Sequence, residues 1–253
     1  MKAVEPRRDN PRNPLLPGLA ALAAFLVLVG LGTWQLQRKA WKDGLIATLS
    51  ERLAAPPLPL PDRAQWPELD RDRFEFTRVR FPAEFVHDRE ALVYSVGSTL
   101  RTGAPTGPGY LVFTPARLTG GGFVLVNRGF VSDALRDPAS RAAGQTAGPV
   151  EIIGVMRWPD PPSAFTPAAE PTRNLWYARD PAAIAAAKNI EAVPFYIEQE
   201  APTPAGGSPR PARLQPTLPN SHLQYAITWY GLAAALLGVF AIWAVRRFKA
   251  RTG

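Results

Sequence analysis

Two long uncharged apolar runs lie at opposite ends of the chain, with a polar stretch between them. The first spans Leu15 to Trp34, and no charge falls between Arg12 and Arg38; the second spans Leu223 to Val245 and stops at Arg246. About 20 helical residues cross the hydrocarbon core of a bilayer. Each run is therefore long enough to be a transmembrane helix, and the predicted class is a membrane protein with one large domain outside the lipid. The first run is read as an uncleaved anchor and not a signal peptide. Its apolar stretch is long, and Trp34-Gln35-Leu36-Gln37-Arg38-Lys39, not a small-residue cleavage site, follows it.

Charge sets the expected orientation. Arg246, Arg247, Lys249 and Arg251 follow the second run with no acid among them, and Lys2, Arg7, Arg8 and Arg12 precede the first beside Glu5 and Asp9. Short basic flanks stay cytoplasmic, so both termini are placed inside and the middle on the far side. Arg38, Lys39 and Lys42, just past the first run, are the countervailing charges. The predicted division is a cytoplasmic segment 1–14, a transmembrane helix 15–36, an extramembrane domain 37–222, a second transmembrane helix 223–245 and a basic cytoplasmic tail 246–253. The net charge of +8 sits largely at these membrane edges. No basic stripe interleaved with aromatics occurs, so no nucleic-acid partner is expected.

The chain has no cysteine and only two histidines, His87 and His222. Disulfides, thiolate metal sites, a Cys nucleophile and a multi-histidine metal site are thereby excluded. No Gly-x-Ser-x-Gly is present, and Gly120-Gly121-Gly122 lacks the spacing of a phosphate-binding loop. The expectation is a protein that is not an enzyme.

The middle region reads mostly as strands. Phe74–Phe81 alternates with a phase slip. Ala91–Val96, Tyr110–Thr114, Phe123–Val131, Val150–Arg157 and Phe195–Gln199 are short runs rich in β-branched and aromatic residues, separated by Gly, Pro and Asp. Leu118–Phe123 suggests a hairpin. A helix over Ala40–Leu53 continues the first span and stops before Pro56-Pro57. A short helix over Pro181–Lys188 takes Asp180 as N-cap. Residues 54–68 and 201–219, rich in Pro and Ala, read as linkers. The predicted fold class is an α+β membrane protein: two transmembrane helices bracketing a small β-barrel or β-rich extramembrane domain with one or two short helices.

Four segments carry a resemblance. They are Gly32-Thr33-Trp34-Gln35-Leu36-Gln37-Arg38-Lys39-Ala40-Trp41-Lys42; Gly109–Pro115 followed by Leu125-Val126-Asn127-Arg128-Gly129-Phe130-Val131; Asn174–Asp180; and Pro219-Asn220-Ser221-His222-Leu223-Gln224-Tyr225-Ala226-Ile227-Thr228-Trp229-Tyr230. In order and spacing the chain resembles the surfeit locus protein 1 family, membrane proteins needed to assemble haem–copper cytochrome c oxidase. It departs from the family at Gly97-Ser98-Thr99, where Gly-Pro-Arg is frequent, and at Phe130, where Trp is common.

The resemblance implies an assembly factor that binds haem a as cargo and helps insert it into the catalytic subunit. The implied partners are oxidase subunit I, the haem a synthesis machinery or other assembly factors, and membrane lipids. The implied location is a bacterial inner membrane, with the main domain periplasmic. The acids in Lys2–Arg12 and its lack of Ser are unlike a mitochondrial transit peptide. A scaffold that stabilises an oxidase intermediate without touching haem is the alternative.

By the resemblance His222 is the iron ligand, and an ionisable residue heading a membrane helix is a functional candidate on its own account. An interfacial or capping role is its plainer reading. Tyr225, Ala226, Trp229 and Ala233 follow His222 at helical spacing, a face against which a flat macrocycle could lie. Trp34, Tyr225, Trp229 and Trp243 also read as interfacial aromatics. Arg128 reads either as a propionate partner or as a structural pair at a turn. Arg38 and Lys39 read as contacts for lipid headgroups or propionates. His87 reads as a surface residue at a strand end, with a second ligand as the sharper alternative. Gly231, Ala234, Ala235 and Gly238 form the opposite face of the second span, expected to pack on the first span or on a partner and leave the His222 face for ligand.

Overall fold

The structure is a computed structural model that describes residues 15–96, 107–159, 163–191, 193–215 and 220–252. The Gly97-Ser98-Thr99 departure, Pro219 of the fourth segment and the basic residues before Leu15 lie outside these. The chain divides into two compact units, one of residues up to 45 and from 219 onward, the other of residues 46–218.

The first unit is a pair of helices. Helix α1 runs over Leu15–Ala54, and its residues up to 45 belong here; helix α4 runs over His222–Thr252. Both are long and apolar enough to cross a membrane. The expected helix over Ala40–Leu53 is the second half of α1, and Pro56 ends it by forcing the preceding residue out of helical conformation. The helices are antiparallel: Gly18 lies beside Phe240, Gly32 beneath the Tyr230 ring, and Gln35 against His222. On α1 the less exposed positions include Gly18, Ala21, Phe25, Leu28, Gly32, Gln35 and Lys39, a three-and-four spacing that keeps one stripe on the partner helix. A Cβ on Gly32 would sit 2.9 Å from the Tyr230 ring, so only glycine admits that ring there.

The second unit is built on strands. The described residues hold eight: β1 Leu58–Pro59, β2 Arg78–Phe85, β3 Ala91–Ser95, β4 Gly109–Leu118, β5 Phe123–Ser132, β6 Pro149–Arg157, β7 Leu175–Trp176 and β8 Tyr196–Ala201. Their order is β1-β2-β6-β8-β5-β4-β3-β7, and β2 also pairs with β4. The extra pairing closes a five-stranded barrel, β2-β4-β5-β8-β6. All its pairs are antiparallel except β5–β8. Counted among themselves, the five run 1-2-3-5-4 and back to 1, the strand order of OB-type Greek-key barrels. Among the described residues, closure pairs each of the five strands on both sides over part of its length.

Alternation along β2 shows how the barrel fills. Val79, Phe81, Ala83 and Phe85 point inward and are buried, while Arg80, Pro82 and Glu84 face out. With Val124, Val126, Ile152, Met156, Phe195 and Ile197 they form the main core. Each such apolar side chain contributes roughly 1.5–3 kcal/mol on burial. The long strand β4 changes edge partner midway, pairing with β3 through Phe113 and with β2 from Ala116. Pro115, which has no N–H to offer, occupies the changeover, and its carbonyl accepts from Val86 N at 2.8 Å. The hairpin expected at Leu118–Phe123 is present, with Gly121 and Gly122 at φ +86 and +81.

Two expectations are corrected. Strand β2 starts at Arg78, not Phe74: Asp70 caps a helical turn, α2, over Arg71–Phe74, and Phe76 takes φ +67. That left-handed residue is the phase slip in the sequence pattern. The two predicted linkers are also parts of the domain. Residues 58–59 form β1, and Trp66 is buried in the barrel core against Phe195. Residues 204–214 form a strap whose Arg210 exchanges two backbone hydrogen bonds with Phe130, while Ala212 and Leu214 are buried. A second cluster beside the barrel holds Trp176, Tyr196 and Phe113 under helix α3, Pro181–Ala187. Asp180 caps α3 as expected, accepting from Ala182 N and Ala183 N.

Candidate functional site

Two of the resembling segments meet in the helical unit. His222 opens α4 and sits half-buried. Its Nδ1–H donates to Gln35 Oε1 of α1 at 2.7 Å. Two turns further along α1, Asp43 accepts from Asn220 Nδ2 at 2.7 Å and from Lys39 Nζ at 2.5 Å. The pair of helices thus ends in a polar layer, Gln35–His222 and Lys39–Asp43–Asn220, above an apolar stem. The Gln35 contact places the neutral imidazole proton on Nδ1 and leaves the Nε2 lone pair as the acceptor. A histidine whose second nitrogen donates to a fixed oxygen is the arrangement that orients an imidazole for a transition metal and raises its basicity.

The face of α4 beneath His222 differs from expectation. Ala226 and Ala233 are 1% and 3% exposed because α1 covers them, and Trp229 is half-buried. Gly231, Ala234, Ala235 and Gly238, expected to pack on the first span or on a partner, are exposed, so the first span does not cover them. The reason is that close approach is supplied by Gly32 on α1 and by the two alanines on α4, and it is held by Tyr230 OH donating to Thr33 Oγ1 at 3.0 Å. A flat ligand therefore has no room along Ala226 and Ala233. What stays open is the His222 end and Tyr225, which is 54% exposed.

Arg128 lies in the other unit, 1% exposed at the C-terminal half of β5. Its Nη2 donates to Gly144 O at 2.5 Å, its Nη1 faces His87 Nδ1 at 3.3 Å, and its guanidinium carbon lies 4.6 Å from the centre of the Phe85 ring. Its Nε has no hydrogen-bond partner among the described residues. Burial pushes its pKa down to about 10, with Glu90 opposing and Arg141 adding to the fall, so it is still cationic at neutral pH. The nearest buried carboxylate, Glu90, is already held at both oxygens by Arg141.

The neighbours of Arg128 explain the Asn-Arg-Gly segment as a unit. Asn127 Nδ2 bridges both oxygens of Glu198 on β8 at 3.3 Å, and its Oδ1 accepts from Gly129 N at 3.1 Å. Gly129 takes φ +121 where the strap passes over it. The third segment is equally built in: Asn174 takes φ +55 and accepts from Lys188 Nζ at 2.6 Å, and Trp176 is buried beneath that ammonium.

His87, read as a surface strand-end residue, is half-buried just past β2. Its Nε2–H donates to Thr146 O at 2.9 Å. Sequence reading named no role for Glu90, Arg141 or Gln35, and only Gln35 carried a signal, its place in the first resembling segment.

The profile of the SURF1 family matches residues 22–234 of this chain. A SURF1-like protein of Monosiga brevicollis is 39% identical over 236 residues, covering 91% of this chain and 87% of its own length. Surfeit locus protein 1 of Mus musculus is 37% identical over 225 residues, covering 83% and 72%. Surfeit locus protein 1 of Homo sapiens is 37% identical over 218 residues, covering 81% and 70%. With a profile match over most of its length and relatives at this identity across most of both chains, the chain belongs to the SURF1 family.

Proposed function

We propose that this protein is an assembly factor for a haem–copper cytochrome c oxidase, the role by which its family is known, and that it carries haem a as cargo with His222 as the axial ligand. The observation that carries the haem reading is the Nδ1–H to Gln35 hydrogen bond, which leaves Nε2 of a half-buried imidazole as a free lone pair. The first and fourth resembling segments supply the two partners of that bond.

A membrane anchor is supported by the surfaces of the helices themselves. Leu19, Leu22, Leu26 and Val27 of α1, and Leu232, Leu237, Val239 and Ile242 of α4, are exposed. Such a density of large apolar side chains belongs in lipid. The charge argument puts the barrel domain across the membrane from the termini; taken with the bacterial inner membrane that the resemblance implies, this makes the domain periplasmic, where it would meet oxidase subunit I and the other assembly factors. Its work is binding and release, not catalysis.

Full-length protein co-expressed with the haem a synthesis machinery and purified in detergent should carry a haem a absorption band that His222→Ala loses. Equal bands in both proteins would remove His222 as ligand. A haem-free, folded wild type would favour the scaffold that stabilises an oxidase intermediate. Gln35→Leu should keep the fold but weaken haem binding roughly tenfold to a hundredfold, the usual cost of removing the acceptor behind a ligating histidine. Titration of the apoprotein with haem checks this, and unchanged affinity would separate Gln35 from the site.

A further inference from the structure

His87 and Arg128 form a partly buried contact that the haem reading does not use. The residues around it tie together three pieces of the barrel domain. His87, on the β2–β3 connector, donates from Nε2–H to Thr146 O at 2.9 Å, and its Nδ1 lone pair accepts from Arg128 Nη1 at 3.3 Å. Arg128, on β5, also donates to Gly144 O. The segment 144–146 is thus held from two sides.

That segment is the seat of the strap. A Cβ on Gly144 would lie 1.8 Å from Ser208 O, and one on Gly206 would lie 3.2 Å from Ala143 Cβ, so the strap rests directly on residues 143–144. Beyond the seat, Arg210 exchanges backbone hydrogen bonds with Phe130 at 3.3 and 3.2 Å. There β8 has ceased to pair: its partners on β5 are Val126 and Asn127 only. The strap is what occupies the edge of β5 at Phe130.

We propose that His87 is an acid-sensitive latch: protonation at Nδ1 breaks its contact with Arg128, loosens segment 144–146 and releases the strap 204–214 from the edge of β5 at Phe130. With a proton on Nδ1, two donors and two positive charges would face each other at the Arg128 contact. Of the charged groups around His87, Arg128 and Arg141 disfavour the second proton and Glu90 favours it. Arg128 comes from β5, Arg141 from the helical turns at 138–144, and Glu90 from the same connector; the segment 144–146 offers only backbone. Both Glu90 oxygens are taken by Arg141. Burial lowers the His87 pKa below its ordinary value, the Thr146 hydrogen bond works against this, and Arg128 adds to the lowering. A histidine depressed in the closed state contributes stability that is complete above its ordinary value of about 6.5 and is lost as pH falls through the depressed one, because the open state takes up the proton.

Hydrogen exchange of the full chain in detergent, corrected for the intrinsic pH dependence of exchange, tests the latch. Peptides covering Phe130 and residues 204–214 should lose protection by about tenfold per pH unit below the ordinary histidine value, the limit for uptake of one proton on opening. His87→Gln, which keeps a donor for Thr146 and an acceptor for Arg128 without titrating, should abolish that dependence. A pH-independent strap in the wild type, or the same loss in the variant, overturns the proposal. Imidazole 15N spectra of the wild type read the latch without a His87 variant, because the chain has two histidines and a His222→Gln spectrum assigns both. His87 should be the Nε2–H tautomer and titrate below 6.5; the other tautomer, or titration at or above that value, overturns the proposal.

Discussion

Gly129→Ala should lower the melting temperature of the full-length protein by about 10 °C or more, followed by near-ultraviolet circular dichroism in detergent. Two costs combine. The residue sits at φ +121, where an L side chain is strained, at a cost on the order of 1–3 kcal/mol. The added Cβ would also lie 2.0 Å from Arg210 O and 2.3 Å from its carbonyl carbon. That obstacle is backbone, pinned by the Phe130–Arg210 hydrogen bonds, so no rotamer change relieves it. Either the strap lifts off or β5 bends, and each sacrifices hydrogen bonds worth about 1 kcal/mol apiece. Gly231→Ala is the matched control: its Cβ meets nothing within 4 Å on a regular helix, so no loss is expected from it. Equal melting temperatures for Gly129→Ala and wild type would mean that the strap does not press on β5.

The parts of this architecture that were legible in the sequence are those written in local pattern. Leu15–Trp34 and Leu223–Val245 announce their helices by an absence of charge. The strands declare themselves through β-branched and aromatic runs, and Asp180 before Pro181 marks α3. Patterning could not show which proline-rich stretches fold. Residues 54–68 owe their order to the pairing of β1 with β2 and to Trp66, buried in the core, and the strap owes its order to the Phe130–Arg210 hydrogen bonds and to close contacts with Gly129 and Gly144. Composition averages such single anchors away.

The interior polar pairs were hidden for a related reason. Asn127 and Glu198 are 71 residues apart, Arg141 and Glu90 are 51, and His222 and Gln35 are 187. A single sequence carries no trace of pairings at such range. The same limit misassigned the faces of α4. Small residues at Gly231, Ala234, Ala235 and Gly238 looked like the packing stripe. What decides packing is complementarity with α1, whose Gly32 receives Tyr230, and that brings the His222 side inward. Arg128 was distinctive in the sequence because it stands in Asn-Arg-Gly. Its burial beside His87 gives that motif a structural meaning in which Asn127 joins β5 to β8, Arg128 holds segment 144–146, and Gly129 admits the strap.

Removing the ion pair beside this cluster should have the second large effect. Arg141→Ala should destabilise the protein by about 3 kcal/mol, within the usual range for breaking one side of a buried pair. Both side chains are almost wholly enclosed, 1% and 4% exposed. The variant loses two charge-assisted hydrogen bonds to Glu90 and the Nε–H donation to Leu135 O at 2.9 Å. It also leaves a carboxylate without its partner in a low-dielectric setting, which is the dominant cost. The loss should fall toward the lower end of the range because Arg128 is close enough to interact electrostatically with Glu90, and so the carboxylate keeps one cationic neighbour. Glu90→Gln/Arg141→Met, which removes both charges at similar volume, should recover most of the stability if the penalty is the stranded carboxylate. A double variant as unstable as Arg141→Ala would instead place the loss in the Leu135 contact and in the shape of the 138–144 turns. Thermal melts of the three proteins decide between these, and a single variant that melts with the wild type would mean that the pair contributes no net stability.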